Sequence, residues 1–248
     1  MLVRVDGEGA LVVGQLSHSW LSGQLARDWG NDRLCAPEPY EDVVLGAQQH
    51  DIGWALFDRD PPFNPASGLP LNFLELSVEQ HLSIWRDAPD RLMSQSACAA
   101  LATSLHGRAI SELRARAVTG GAAALHAHIA DERARQALLQ AMLGLSDDDS
   151  RRIQRQMWTW DGISLALCNG WLPFTANTAP AIDGLVDIEL HVRADGAIVL
   201  DPWPFAVDRV EVCCEGRRLE ARYADERAMR RAFHAAPPQT LVFELVPR

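Results

Sequence analysis

The chain has 248 residues, and its 23 basic residues, all Arg, face 33 Asp and Glu for a formal charge of −10. That length buries a core without disulfide or metal staples, and an acidic chain with no basic run excludes nucleic acid and anionic membrane surfaces as its main partners. A small anionic substrate is not excluded, because two or three Arg in a cleft suffice to hold one.

Residues 2–5 and 10–13 are mostly aliphatic and flank Asp6-Gly7-Glu8-Gly9, a short hairpin signal. Ser17 then reads as an N-cap for a helix over 18–29, ended by Gly30-Asn31. Pro37 and Pro39 open a second helix that the apolar positions Val44, Leu45, Ala47 and Ile52 carry to about Phe57. Residues 59–72, rich in Pro, Gly and Asn, read as an irregular loop long enough to form a lid or a site wall. Ser77 with Gln80 forms a capping box for a helix over 77–87. Asp87 and Pro89 start another, to about Gly107, and one or two more follow over 108–143, weakened at Gly120-Gly121. Ser146 and the acids Asp147, Asp148 and Asp149 suit the positive end of a helix that runs to about Asn169-Gly170. From Asp183 onward helical spacing gives way to alternation, with Asp195-Gly196 as a hairpin turn and one short helix near 225–235.

The expected fold is therefore mainly α: a helical bundle with a short N-terminal β-hairpin and a small C-terminal antiparallel β unit. The helical domain spans 1–175, and the β segment, 176–248, packs on it. The N-terminal strands are candidates to pair with that segment, since both need partners. Cys35, Cys98, Cys168, Cys213 and Cys214 form no CxxC pair and are odd in number, which suits reduced thiols in a cytoplasmic protein. The first 13 residues carry acids and glycines where a secretory signal would be apolar.

The chemistry concentrates at Ala47-Gln48-Gln49-His50-Asp51-Ile52-Gly53-Trp54. Two polar, metal-capable side chains stand there in an apolar run. On a helix, adjacent side chains point about 100° apart, so His50 and Asp51 share a metal only if other helices complete the shell. His18, His81, His106 and Asp161 lie on those other helices. Imidazole with carboxylate suits iron, manganese or zinc, and facing helices of a bundle are a usual place for such a centre.

This ordering resembles the HD-domain superfamily, most specifically at Ala47–Gly53, over residues 15–170. The resemblance implies an HD-like helical core in which His18, His50, Asp51, His81, His106 and Asp161 hold two divalent or mixed-valent transition metals, Fe or Mn more than Zn, with Asp51 bridging and catalytic. It implies a hydrolase of a small phosphoester. The alternatives are a mixed-valent di-iron oxygenase, or a binding module with a structural metal. Many HD phosphohydrolases carry a phosphate-holding Lys where this chain has Trp54, so an Arg such as Arg27, Arg59 or Arg108 could substitute to hold the anion, and Trp54 could wall the pocket. More closely, the chain resembles an uncharacterised bacterial family catalogued as a domain of unknown function, in Ser22–Gly30 (SGQLARDWG) and Gln49–Trp54 (QHDIGW).

The remaining features have plainer readings. His126 and His128 point about 200° apart on a helix and read as surface residues. His191 and His234 read as structural, the other tryptophans mostly as core, and Asp147–Asp149 as a helix start. Substrate, metal and a homo-oligomeric state are left open.

Overall fold

The computed structural model describes residues 1–248. Strands β1 (Leu2–Asp6) and β2 (Gly9–Val13) form the expected N-terminal hairpin. Helix α1 (Gln15–Asp28) follows, capped by Gly14 rather than by Ser17. The Ser17 hydroxyl instead donates to the Glu215 carbonyl at 2.8 Å and accepts from the Glu215 amide at 2.8 Å, a tie to the C-terminal strands that no local pattern announces. The second helix is not continuous. α2 (Tyr40–Gln49) stops before His50, a 3-10 turn covers Ile52–Trp54, and a short α3 (Ala55–Arg59) completes the segment.

The stretch 59–72 is better ordered than its composition suggests. It forms a small hairpin, β3 (Phe63–Asn64) and β4 (Leu69–Pro70). Arg222 and Arg230 pin it by donating to the carbonyls of Ser67 and Pro61. The capping box at Ser77 and Gln80 is present and starts α4 (Val78–Trp85). Three long helices follow: α5 (Ala97–Ala117), α6 (Ala122–Leu143) and α7 (Asp147–Asn169). Gly121, with φ +76°, makes the break between the first two, a conformation that glycine adopts without steric cost.

The expected "mainly α" class is overturned by the sheet. Strands β5 (Phe174–Ala181), β6 (Gly184–Val192), β7 (Ile198–Asp201), β8 (Val210–Leu219) and β9 (Pro238–Pro247) join β1 and β2 in one seven-stranded sheet. Its order is β1-β2-β8-β9-β7-β6-β5, and it curls into a half-barrel. It is mixed, because β7 and β9 run parallel while the other pairs are antiparallel. The chain is thus α/β, neither an all-α bundle nor a bundle with a small β appendage. The N-terminal hairpin is an edge of the large sheet, joined by β2 pairing with β8.

Period-two alternation shows why β2 reads as a continuous apolar run. Leu11 and Val13 face the main core, shared with α1, α2, α5 and α7. Ala10 and Val12 face the opposite side, where Leu69, Met229 and Phe233 form a second cluster under β4 and α8 (Glu226–Ala235). A strand covered on both faces has no polar side to show. The main core also takes in Ile188, Leu200 and Val212 of the C-terminal strands, so helices and sheet share one apolar interior. No helix is long and apolar enough to cross a membrane.

Candidate metal centre

The break after α2 builds the site. His50 ends the helix with φ −55° and ψ −29°, and Asp51 turns to φ −96° and ψ 18°, the bridge region where many site residues sit. The turn lies hard against α4: a Cβ on Gly53 would stand 2.1 Å from the Ile84 carbonyl oxygen, so only glycine fits. Likewise a Cβ on Gly23 would lie 2.6 Å from the Gln48 Cβ, and its absence lets α1 and α2 cross closely enough for His18 to reach Asp51.

His18, His50, Asp51, His106 and Asp161 converge from α1, the α2 break, α5 and α7, all of them buried. His18 Nε2 lies 2.7 Å from Asp51 Oδ2 and 3.7 Å from Asp161 Oδ1. His50 Nε2 lies 3.3 Å from Asp161 Oδ1 and 3.6 Å from Asp51 Oδ2. His106 Nε2 lies 3.8 Å from Asp161 Oδ2. Ligand atoms about 2.1 Å from one metal stand roughly 3.0 to 3.4 Å apart at octahedral or tetrahedral angles. The spacings here bracket that range. His81 stands apart: its Nε2 lies 2.9 Å from the Ser111 hydroxyl. It does not belong to either group of ligand atoms gathered within 4.8 Å.

The hydrogen bonds fix which nitrogens face the cluster. His50 Nδ1 lies 2.8 Å from the Ala47 carbonyl, which can only accept, so Nδ1 carries the proton. His50 Nε2, wholly buried and without a hydrogen-bond partner, then faces two carboxylates. Ser164 Oγ donates to the Asp161 carbonyl at 2.9 Å and accepts from Ser22 Oγ at 2.8 Å. Its proton spent, it accepts from His18 Nδ1 at 2.8 Å, which turns His18 Nε2 to its 2.7 Å hydrogen bond with Asp51 Oδ2. Backbone or hydroxyl partners on the outer nitrogen are the usual support of a metal-binding histidine.

Buried carboxylates facing imidazoles need a positive partner, which a protonated histidine or a bound cation can supply. Burial opposes a charged His50, but Asp51, and then Asp161 by hydrogen bond and charge, raise it to about 9. Burial would raise Asp161, yet His106 and then His50 hold it down to about 2. His106 is held near 4 by burial, against the pull of Asp161. Burial, then Arg114 and His128, drop His81 to about 3, so both outer imidazoles stay neutral.

A family model described as "Protein of unknown function (DUF3891)" matches residues 1–221, which hold every residue of the cluster. The chain belongs to the DUF3891 family. No curated protein and no solved structure matches it, and the likeness to HD-domain proteins rests on the residue pattern alone.

In this DUF3891 chain the cluster forms the floor of a cavity of about 610 Å³. His18, Asp51, His81, His106 and Asp161 line it, under apolar walls that include Trp54, Trp85, Trp158 and Trp171. Trp54 lies in that wall. Phe174, Thr175, Ala176 and Asn177 of β5 form part of the wall, so the sheet shapes the site as well as the helices do. The three arginines proposed to hold an anion do not line this cavity. Arg27 is exposed at the end of α1, where its carbonyl accepts from the Tyr40 hydroxyl. Arg59 is exposed and paired with Asp60 at 2.7 Å. Arg108 is turned away on α5 and spent on Glu112 and Gln136. The arginine that does line the cavity is Arg114, two helical turns beyond His106 on α5.

Proposed function

We propose that this DUF3891 protein is a metal-dependent enzyme, a hydrolase of a small anionic ester that works through its His–Asp cluster. The observation that carries the reading is the His50 ring: Nδ1 is committed to Ala47, and the unpartnered Nε2 faces Asp51 and Asp161 in a buried site. His18, His50, Asp51 and Asp161 are the residues that would hold one ion. His106, the second oxygen of Asp161 and His81 are the candidates for another, with Fe or Mn favoured by the His and Asp donors.

A bound divalent metal supplies Lewis acidity and brings the pKa of water toward neutral. The chain's own groups set the stage for it. Ser164 and Ala47 lock the two inner imidazoles, and Asp51 Oδ2, between His18 and His50, is the acceptor placed to take a proton at the floor of the cavity. Trp54 and Trp85 wall the floor with apolar surface. The oxygenase reading draws on Trp54: the position that holds phosphate through Lys in many HD hydrolases here offers an indole to the cavity.

The test is metal analysis of protein purified without a His tag, followed by assays on a phosphoester panel. One or two Mn or Fe per chain are expected. Asp51→Ala and Asp161→Ala should lose them while unfolding stays cooperative, because the shared core does not depend on the cluster. A wild-type chain that neither carries nor takes up Mn²⁺, Fe²⁺ or Zn²⁺ overturns the reading. Two irons with oxygen consumption and no ester hydrolysis would move the assignment to the oxygenase.

A further inference from the structure

We infer that the cavity takes an amphipathic anion: an apolar, ring-bearing body lying along α5 and α7, with a negatively charged group held by Arg114 at the end away from the His–Asp cluster. The inference rests on the proposed metal centre only for which end of the molecule reacts. The binding itself is argued from the cavity.

His106, Ile110, Leu113, Arg114 and Ala117 form one stripe of α5 along the wall. Eight residues separate His106 from Arg114, about 12 Å of helix rise. The span between them is apolar, with flat indole surface from Trp158 on α7, the kind of wall on which planar bodies pack. The volume, about 610 Å³, is that of a cavity for one small organic molecule.

Arg114 has no internal use for its charge. One terminal nitrogen donates to the Leu76 carbonyl, Nε is buried without a partner, and no carboxylate lies within 4.0 Å of the guanidinium. An unpaired guanidinium in an apolar wall is costly for the protein alone, and its planar fork matches carboxylate, phosphate or sulfonate oxygens. Outside the His–Asp cluster the other polar lining groups, Gln15, Thr159, Thr175, Asn177 and the neutral His81, carry no charge.

A second observation gives the same sign. An outer depression of about 370 Å³ shares Leu113 and Trp158 with the cavity and is lined by Arg116, Arg151 and Arg155, against one acid, Glu112, which is already paired with Arg108 and Arg133. Arg151 pairs with Asp148, whereas Arg116 and Arg155 have no carboxylate within 4.0 Å. On a chain of charge −10, a cationic approach beside half-exposed Leu113 and Trp158 draws anions toward that mouth.

The experiment uses a matched pair of probes, anilinonaphthalene sulfonate and its uncharged twin N-phenyl-naphthylamine, read by loss of cavity tryptophan emission. The wild type should bind the sulfonate roughly tenfold or more tightly than the neutral probe, as a charge-assisted bond requires. Arg114→Met should erase that preference while the neutral probe keeps its affinity to within about twofold. Arg114→Lys should keep part of it, and Arg59→Met all of it. If the methionine variant does not fold, Arg114→Gln carries the same comparison. A wild type without sulfonate preference, or a preference that survives loss of the Arg114 charge, overturns the inference. Metal is counted in every variant. Lost preference at unchanged metal content belongs to Arg114, whereas absent metal with the preference intact strikes the metal reading and leaves this one standing.

Discussion

At the scale of single residues, the centre is a problem of orientation, solved by groups that are not themselves candidate ligands. Ser164 is the clearest case. It accepts from His18 Nδ1 and Ser22 while donating to the Asp161 carbonyl, so one hydroxyl sets the ring of one candidate ligand and touches the backbone of another. Ser164→Ala would free the His18 ring to rotate and leave its Nδ1 without a buried partner. We expect metal affinity to fall about 10- to 100-fold, with stoichiometry retained at saturation and the fold intact, in a competition titration against a chelator. Unchanged affinity would mean that Ser164 does not orient His18. The histidines and aspartates were legible in the sequence because their types and order are distinctive. Ser164, Ser22 and Arg114 were not, since a serine or arginine on a helix gains its task only from what faces it. Arg27, Arg59 and Arg108 lie outside the cavity for the same reason. Nothing in the chain's linear order says that Asp60 neutralises Arg59, or that Glu112 occupies Arg108.

Among the elements, helix existence was legible and helix interruption was not. The capping boxes at Ser77 and Ser146 mark real starts. The apolar spacing that carried the second helix on to Phe57 concealed the turn at His50–Asp51, because Ile52 and Trp54 are buried or half-buried on either geometry. The turn exists because Gly53 can lie on the α4 backbone. α6 shows the opposite error. His126 is exposed as expected, but His128 is buried with Nε2 unpartnered, and so does not belong to the surface. Burial first, then Arg86 and Arg135 and against Asp131, lowers its pKa from the ordinary 6.5. A lowered imidazole makes the folded state bind fewer protons than the unfolded one. Stability is therefore complete above the unfolded value and lost as pH falls below it. Chemical denaturation from about pH 7.5 to about pH 5 should show this loss, and His128→Gln should flatten it relative to the wild type. A pH slope unchanged by that replacement would clear His128 of the effect.

Across the whole molecule, the composition spoke clearly for strands at both ends and not for their number or union. Alternation is a local signal, whereas the pairing of β2 with β8 joins residues some 200 positions apart. The parallel placement of β9 beside β7, with β8 on its other side, has no local mark at all. That union makes the C-terminal strands part of the interior. Ile188, Leu190, Ile198, Leu200, Phe205, Val210, Val212, Cys214 and Leu245 supply nine of the 36 residues in the main core. Ending the chain after residue 180 would remove all nine, strip β8 from α1 and from β2, and leave β5 without β6. Each buried aliphatic so lost forfeits about 1.5 to 3 kcal/mol of burial, against a total stability of about 5 to 15 kcal/mol for a typical domain. The helices would be left with a bare apolar face and an unpaired hairpin. We expect the shortened chain to aggregate, or to melt without a cooperative transition, as followed by soluble fraction and circular dichroism. A soluble, cooperatively melting product with the metal content of the full chain would show instead that residues 1–180 carry their own core, and that the sheet is an addition to a self-sufficient helical body.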